Sequence, residues 1–217
     1  VIDGGGIQAL GGQIKLLGVA DSATLSLNID GSNLSLNIPE EVTRGNITLQ
    51  NGASIDVTAD DGGSIAIKAR NLEILDSSIL AGIDVGLGTV DAQAGDIVLE
   101  ATEAMTIAGS NIDNLVKSGG IGKGGNLQID TDSLLAKNFS SLNVRTLGQG
   151  DAGKVLVRAN DTVTFTDGST IFNSIQSEAI GNAQGVTIQA NAFSLLEGAE
   201  IQAGNRGGRG NAGDVFI

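Results

Sequence analysis

A segment of about thirty residues that opens Gly-x-(Ile/Leu/Val)-x-(Ile/Leu/Val) recurs along the chain, and this recurrence constrains the fold more than any single residue does. It starts at Gly63-Ser-Ile-Ala-Ile67, Gly95-Asp-Ile-Val-Leu99, Gly125-Asn-Leu-Gln-Ile129, Gly153-Lys-Val-Leu-Val157 and Gly213-Asp-Val-Phe-Ile217, with Gln184-Gly-Val-Thr-Ile188 keeping the register. A unit this short cannot bury its own apolar face, so each copy must lean on its neighbours and the array forms one elongated body. Residues 1–217 are therefore read as a single domain. With 33 glycines, one proline and 2% aromatics the chain borders on low complexity, but 41% hydrophobic residues supply a core.

Apolar residues alternate within each unit, which predicts strands rather than helices. Three strands can be aligned. The first carries Ile65/Ile67, Ile97/Leu99, Leu127/Ile129, Val155/Val157 and Val186/Ile188. The second carries Leu72/Ile74, Met105/Ile107, Leu134/Ala136, Val163/Phe165 and Phe193/Leu195, and the third is marked by Ile79, Ile112, Leu142, Ile171 and Ile201. These columns should face inward. The opening residue lies 16 to 18 residues before the third-strand residue, whereas the run from there to the next unit varies from 11 to 16. Two tight corners and one loop-tolerant corner are expected, and the fold class is an all-β, right-handed parallel β-helix with about six rungs, roughly 30 Å long at about 4.8 Å per rung.

Residues 60–217 carry the repeats, while 12–59 form an irregular first rung. Gly12–Leu16 resembles an opening strand and Gly45–Val57 the second and third. Between them, Thr24–Ile29 and Leu34–Ile38 flank Asp30-Gly-Ser-Asn33, which predicts a hairpin over 24–38 followed by a loop at Pro39-Glu-Glu41. Val1–Ile7 looks like the tail of one unit and Gly213–Ile217 like the start of another, as in a fragment of a longer chain.

A net charge of −13 and a pI near 4.2 argue against nucleic acid as a partner, because phosphate backbones require clustered Lys and Arg. No cysteine is present, so neither disulfides nor thiolate metal sites can form. No run of eighteen apolar residues or basic-then-apolar leader occurs in these residues, and 2% aromatics leaves no girdle for a membrane β-barrel. On the outer surface Lys68, Glu100, Asp130 and Arg158 should form a solvated column in which Lys68 faces Glu100 and Asp130 faces Arg158.

Candidate chemistry is sparse. Gly120-Ile-Gly-Lys-Gly-Gly125, Gly148-Gln-Gly-Asp-Ala-Gly153 and Gly208-Arg-Gly-Asn-Ala-Gly213 match Gly-x-Gly-x-x-Gly, but each precedes a strand, whereas a pyrophosphate cradle follows a strand and opens a helix. Turn glycines explain them. Asp60, Asp61 and Asp91 are hard oxygen ligands at the loop corner, and Gly207–Ala212 approximates a calcium nonapeptide but has Ala212 where an acid is needed. Asp130 and Asp132 do not make the repeated carboxylate pair that glycoside hydrolysis requires. With no His, Trp or Tyr, no catalytic, cofactor-binding or metal residue is assigned. Asn114 and Asn173 fall two residues after their third-strand Ile and should point inward as structural amides. The sequons at Asn46, Asn138 and Asn160 carry little weight.

Asn46-Ile-Thr-Leu-Gln-Asn-Gly-Ala-Ser-Ile-Asp-Val57, Gly62-Gly-Ser-Ile-Ala-Ile67, Gly148–Gly153 and Gly210-Asn-Ala-Gly-Asp-Val215 resemble the repeats of filamentous-haemagglutinin-like exoproteins of two-partner secretion systems, in their cyanobacterial form. The resemblance covers nearly the whole chain. It implies a passenger segment, extracellular or on the surface of a Gram-negative-type cell, exported by an outer-membrane transporter engaged through upstream residues. It implies a non-catalytic structural and adhesive shaft with cell-surface or matrix receptors, no nucleic acid and no membrane insertion. The alternatives are a polysaccharide-active β-helix enzyme and a self-assembling matrix filament.

Overall fold

Alternation puts every second side chain on one side of a strand, so a strand with one apolar row must turn that row away from water. In Ser64–Ala69 the odd members Ile65, Ile67 and Ala69 are buried, and in Ile97–Ala101 so are Ile97, Leu99 and Ala101. The computed structural model describes residues 1–22, 24, 26–30, 33–37 and 42–217. They form an all-β solenoid, a parallel β-helix, with no helix among the described residues.

Three faces stack in register. On the first, Ile14, Ile65, Ile97, Leu127, Val155, Val186 and Val215 lie over one another. On the second, Ile47, Leu72, Met105, Leu134, Val163 and Phe193 do the same. On the third, Ile7, Ile55, Ile79, Ile112, Leu142, Ile171 and Ile201 form one column. The columns meet in a single hydrophobic cluster running the length of the molecule. The third sheet has seven strands, whose six spacings of about 4.8 Å give an axial length of about 29 Å. Leu127–Lys137 and Val155–Phe165 run unbroken across the first and second faces, with a register shift between Thr131 and Ser133 where the sheet bends.

The corner between the second and third faces is closed by hydroxyls. Ser77, Ser110, Ser140 and Ser169 are all buried. The backbone N–H of Ser77 donates to Ser110 Oγ at 3.0 Å, that of Ser110 to Ser140 Oγ at 3.3 Å, and that of Ser140 to Ser169 Oγ at 3.2 Å. Each hydroxyl so placed satisfies a buried amide of the coil below that the sheet ladder cannot reach.

The loop-tolerant corner is more regular than expected. Gly88–Gln93 pairs in parallel with Ile121–Lys123, and single bridges continue from Ile121 through Gln149 and Ile180 to Arg209. Insertions therefore do gather here, but the backbone around them forms a fourth ladder, with two small apolar clusters around Ile83/Val116 and Ile175/Ala179 beneath it. The Gly-x-Gly-x-x-Gly runs belong to this ladder. Their middle glycines Gly122, Gly150 and Gly210, with Gly181, share φ from 133° to 157°, and a Cβ on Gly150, Gly181 or Gly210 would overlap the carbonyl oxygen of the glycine one coil below. These glycines permit the close backbone approach of successive coils.

The hairpin is present with shifted bounds: Ser26–Asp30 pairs antiparallel with Asn33–Asn37. Gly31, Ser32, Ile38 and the expected loop at Pro39-Glu40-Glu41 lie outside the described residues. The hairpin departs between the first-face strand Gln13–Leu17 and the second-face strand Ile47–Gln50, so a corner expected to be tight also accepts an insertion. Its base is pinned by the antiparallel bridge Val19–Arg44 and by the Ala20 N–H donating to the Thr43 carbonyl at 3.0 Å. Apart from that insertion the rung over 12–59 is regular.

Candidate functional site

Outward positions on the first face behave as the sequence suggests. Glu100 stands between Lys68 and Asp130 in register, and Asp130 lies beside Arg158. Lys68 Nζ lies 2.9 Å from Glu100 and Arg158 Nη1 3.4 Å from Asp130. Glu100 also receives Arg44 at 3.3 Å, from the far end of the hairpin insertion, which no repeat alignment could show. Asp132 accepts a hydrogen bond from Asn160 Nδ2 at 2.6 Å, and Glu103 one from Asn71 Nδ2 at 2.9 Å. Glu103 and Asp132, on neighbouring coils of this open corner groove, are thus flanked by the amides of Asn71 and Asn160.

The loop-corner acids are engaged by backbone. Asp61 Oδ1 accepts from the N–H groups of Gly62 and Gln93, each at 2.8 Å. Asp96 Oδ1 accepts from Asn126 N at 2.7 Å, and Asp151 Oδ1 from Asn182 N at 2.8 Å. These carboxylates cap the coil above them. Asp91 is exposed, and no group of three or more His, Cys, Asp or Glu side chains among the described residues is placed to hold a metal ion.

Asn114 and Asn173 do point inward, 1% and 0% exposed. Asn173 is fully engaged: Nδ2 donates to the Gly153 carbonyl at 2.7 Å and the Val144 carbonyl at 3.0 Å, and Oδ1 accepts from the Gly185 N–H at 2.6 Å. Asn114 Nδ2 reaches the Gly95 and Asn126 carbonyls at 2.9 and 3.2 Å, but its Oδ1 has no partner. Both amides tie the third sheet to the glycine corner.

The groups whose ionisation is most disturbed by burial sit elsewhere, on the outer surface of the third face. Register places Asp113, Asn143, Phe172 and Gln202 in one row across adjacent strands, with Arg145, Ser174 and Gly204 in the next. The guanidinium carbons of Arg145 and Arg206 lie 5.6 and 5.3 Å from the centre of the Phe172 ring, within cation–π range. Arg206 Nε also donates to Gln202 Oε1. Asn143 Nδ2 donates to Asp113 Oδ1 at 2.7 Å and to Ser141 Oγ at 3.1 Å.

Burial pushes the Asp113 carboxyl above its ordinary range, although the Asn143 hydrogen bond and the charges of Arg145 and Lys117 oppose the rise. Burial also lowers Arg145; the nearby Asp113 works against that and Arg206 adds to it. At the edge of the cluster Lys117 Nζ donates to Asp84 Oδ1 at 2.9 Å, and this hydrogen bond chiefly holds the Asp84 carboxyl below its usual range. Two buried atoms in the cluster lack partners: Asn143 Oδ1 and Arg145 Nε.

None of this cluster stood out in the sequence, because its members are scattered singly from 113 to 206. One signal was available. Phe172 follows the inward Ile171 and so occupies an outward position, where an aromatic ring is out of place on a solvated face. No protein-family model, curated protein or solved structure matches this chain.

Proposed function

We propose that this chain is a non-catalytic structural and adhesive shaft segment of a secreted or cell-surface exoprotein. The observation that carries the reading is the unbroken first-face column from Ile14 to Val215, in which each coil supplies the apolar floor of the next. A stack of this kind puts its sequence into length and rigidity, and its outward acids into stitching neighbouring coils, as Asp61, Asp96 and Asp151 do. The resemblance of the repeats to filamentous-haemagglutinin-like exoproteins supports export through a two-partner outer-membrane transporter and display outside a Gram-negative-type cell.

One observation favours a second reading, a polysaccharide-active enzyme: Asp113 is a carboxyl whose hold on its proton burial strengthens, with Arg145 and Lys117 nearby, a setting suited to proton transfer beside a substrate carboxylate. A screen of acidic and neutral polysaccharides for new reducing ends or unsaturated uronates separates the two. No turnover above a blank is expected. Turnover that disappears in Asp113→Asn would overturn the shaft reading, and sedimentation at several concentrations tests whether the segment self-assembles into a filament instead.

A further inference from the structure

We infer that the outer surface of the third face binds an acidic sugar, with Arg145 and Arg206 holding the carboxylate of a uronate unit beside Phe172. This inference deepens the adhesive part of the shaft reading by naming the ligand class. Three observations on the cluster carry it.

The first is charge. In a chain of net charge −13, four of the twelve Lys and Arg side chains form ion pairs among the described residues: Arg44 and Lys68 meet Glu100, Lys117 meets Asp84, and Arg158 meets Asp130. Arg145 and Arg206 converge on one phenyl ring, and among the described residues neither has a carboxylate within ion-pair distance. Two guanidinium groups brought to one ring repel one another, with only the charge of Asp113, beyond ion-pair distance, to offset Arg145, and a planar carboxylate fits the fork of donors they present.

The second is the pair of buried polar atoms that nothing satisfies. Asn143 is 6% exposed, and its Oδ1 lacks a donor while the Nε–H of Arg145 lacks an acceptor. An unsatisfied buried group is costly, so a native surface that keeps two in one cluster is poised for an occupant that supplies both partners. Asn143 and Arg145 are two positions apart on one strand face, their Cα atoms roughly 6.5 Å apart. An occupant must bring an anionic oxygen to one and a hydroxyl hydrogen to the other. A uronate carries both a carboxylate and ring hydroxyls, and sulfate does not.

The third is shape. Ser174, the partner of Arg145 in register, and Gly204 beyond it are small, and Ser174 is fully buried, so little side chain projects from the row beside Phe172 between the two arginines. A sugar lying there sets its C–H face against the ring while its carboxylate meets the cations, and docking turns Arg145 outward from Phe172 so that the two orphan atoms open to the ligand.

The test is titration of the 15N-labelled chain with digalacturonate, its dimethyl ester and sulfate, following amide shifts. Digalacturonate is expected to move the amides of Asn143, Arg145, Phe172 and Arg206, and the ester to bind at least about tenfold more weakly, since a charge-assisted pair is lost. Arg145→Gln and Arg206→Gln, each checked for native circular dichroism, should weaken binding about tenfold, and Asn143→Ala to a smaller extent. Arg158→Gln, on the first face, should leave it unchanged. Equal binding of acid and ester, arginine variants that bind within twofold of the parent, or sulfate matching digalacturonate would each overturn the assignment. Failure of the shaft reading is read separately: product formed from polygalacturonate removes that reading while leaving the binding site standing, whereas absence of any shift removes the site alone.

Discussion

Asn173 and Asn114 offer a matched comparison of what a buried amide contributes. Both occupy the same interior column of the third face, whose other members include Ala81, Val144 and Ala203, so alanine already fits this column. Replacing Asn173 by Ala removes the partners of the Gly153 carbonyl and the Gly185 N–H at a corner where water does not reach. At about 1–3 kcal/mol for each orphaned group, plus the small void, Asn173→Ala should cost about 3–5 kcal/mol. Asn114→Ala frees two carbonyls from longer bonds but also deletes an Oδ1 that was never satisfied, so its cost should be about 1–2 kcal/mol.

The chain has neither Trp nor Tyr, so urea unfolding is followed by far-ultraviolet circular dichroism. Hydrogen exchange at the Gly185 amide reports the lesion locally, and that amide should exchange much faster in Asn173→Ala than in the parent. Equal costs for the two variants, or Asn173→Ala within about 1 kcal/mol of the parent, would show that the amide bridges do not hold the glycine corner.

Other perturbations follow from the same geometry. Ser110→Ala orphans the Ser77 N–H and should cost about 1–2 kcal/mol in urea unfolding, against under about 0.5 kcal/mol for Ser78→Ala on the outer side of the same turn. Glu100→Gln breaks contacts with Lys68 and Arg44, all partly exposed to solvent, so the loss should stay under about 1 kcal/mol and shrink further in 1 M salt. Asp113→Asn tests burial. The folded carboxyl is raised above 3.8, so its favourable contribution is complete below that value and is lost as pH rises through the raised one. Because the substituted amide does not titrate, the variant should gain on the parent in urea midpoint as pH rises above 3.8, and a difference that is flat with pH would refute the assigned cause.

How far the sequence reached can be seen at particular residues. Ile97, Leu127 and Val155 were readable as one column because a period-2 row of aliphatics has only one side to hide, and repetition fixes which residues overlie. Asn114 and Asn173 were readable as inward from the same count. The serine ladder was not, since Ser77, Ser110, Ser140 and Ser169 resemble ordinary turn residues until the coils are stacked and each hydroxyl meets the amide of its neighbour. The fourth ladder at the variable corner escaped for a related reason: its pairing depends on backbone approach between glycines, which leaves no apolar pattern to read.

By itself the sequence determined the class of fold, the three inward faces and their register, because the hydrophobic effect acts on a periodic row without reference to anything distant. Only the stacked structure decided which polar atoms meet: that Arg44 returns to Glu100, that Asp61 caps Gln93, and that Arg145 and Arg206 converge on Phe172 while Asn143 keeps an oxygen unpaired. Hydrogen bonds and ion pairs act over a few ångströms between residues tens of positions apart, so their partners are set by the pitch of the coil and the course of its insertions rather than by any local pattern.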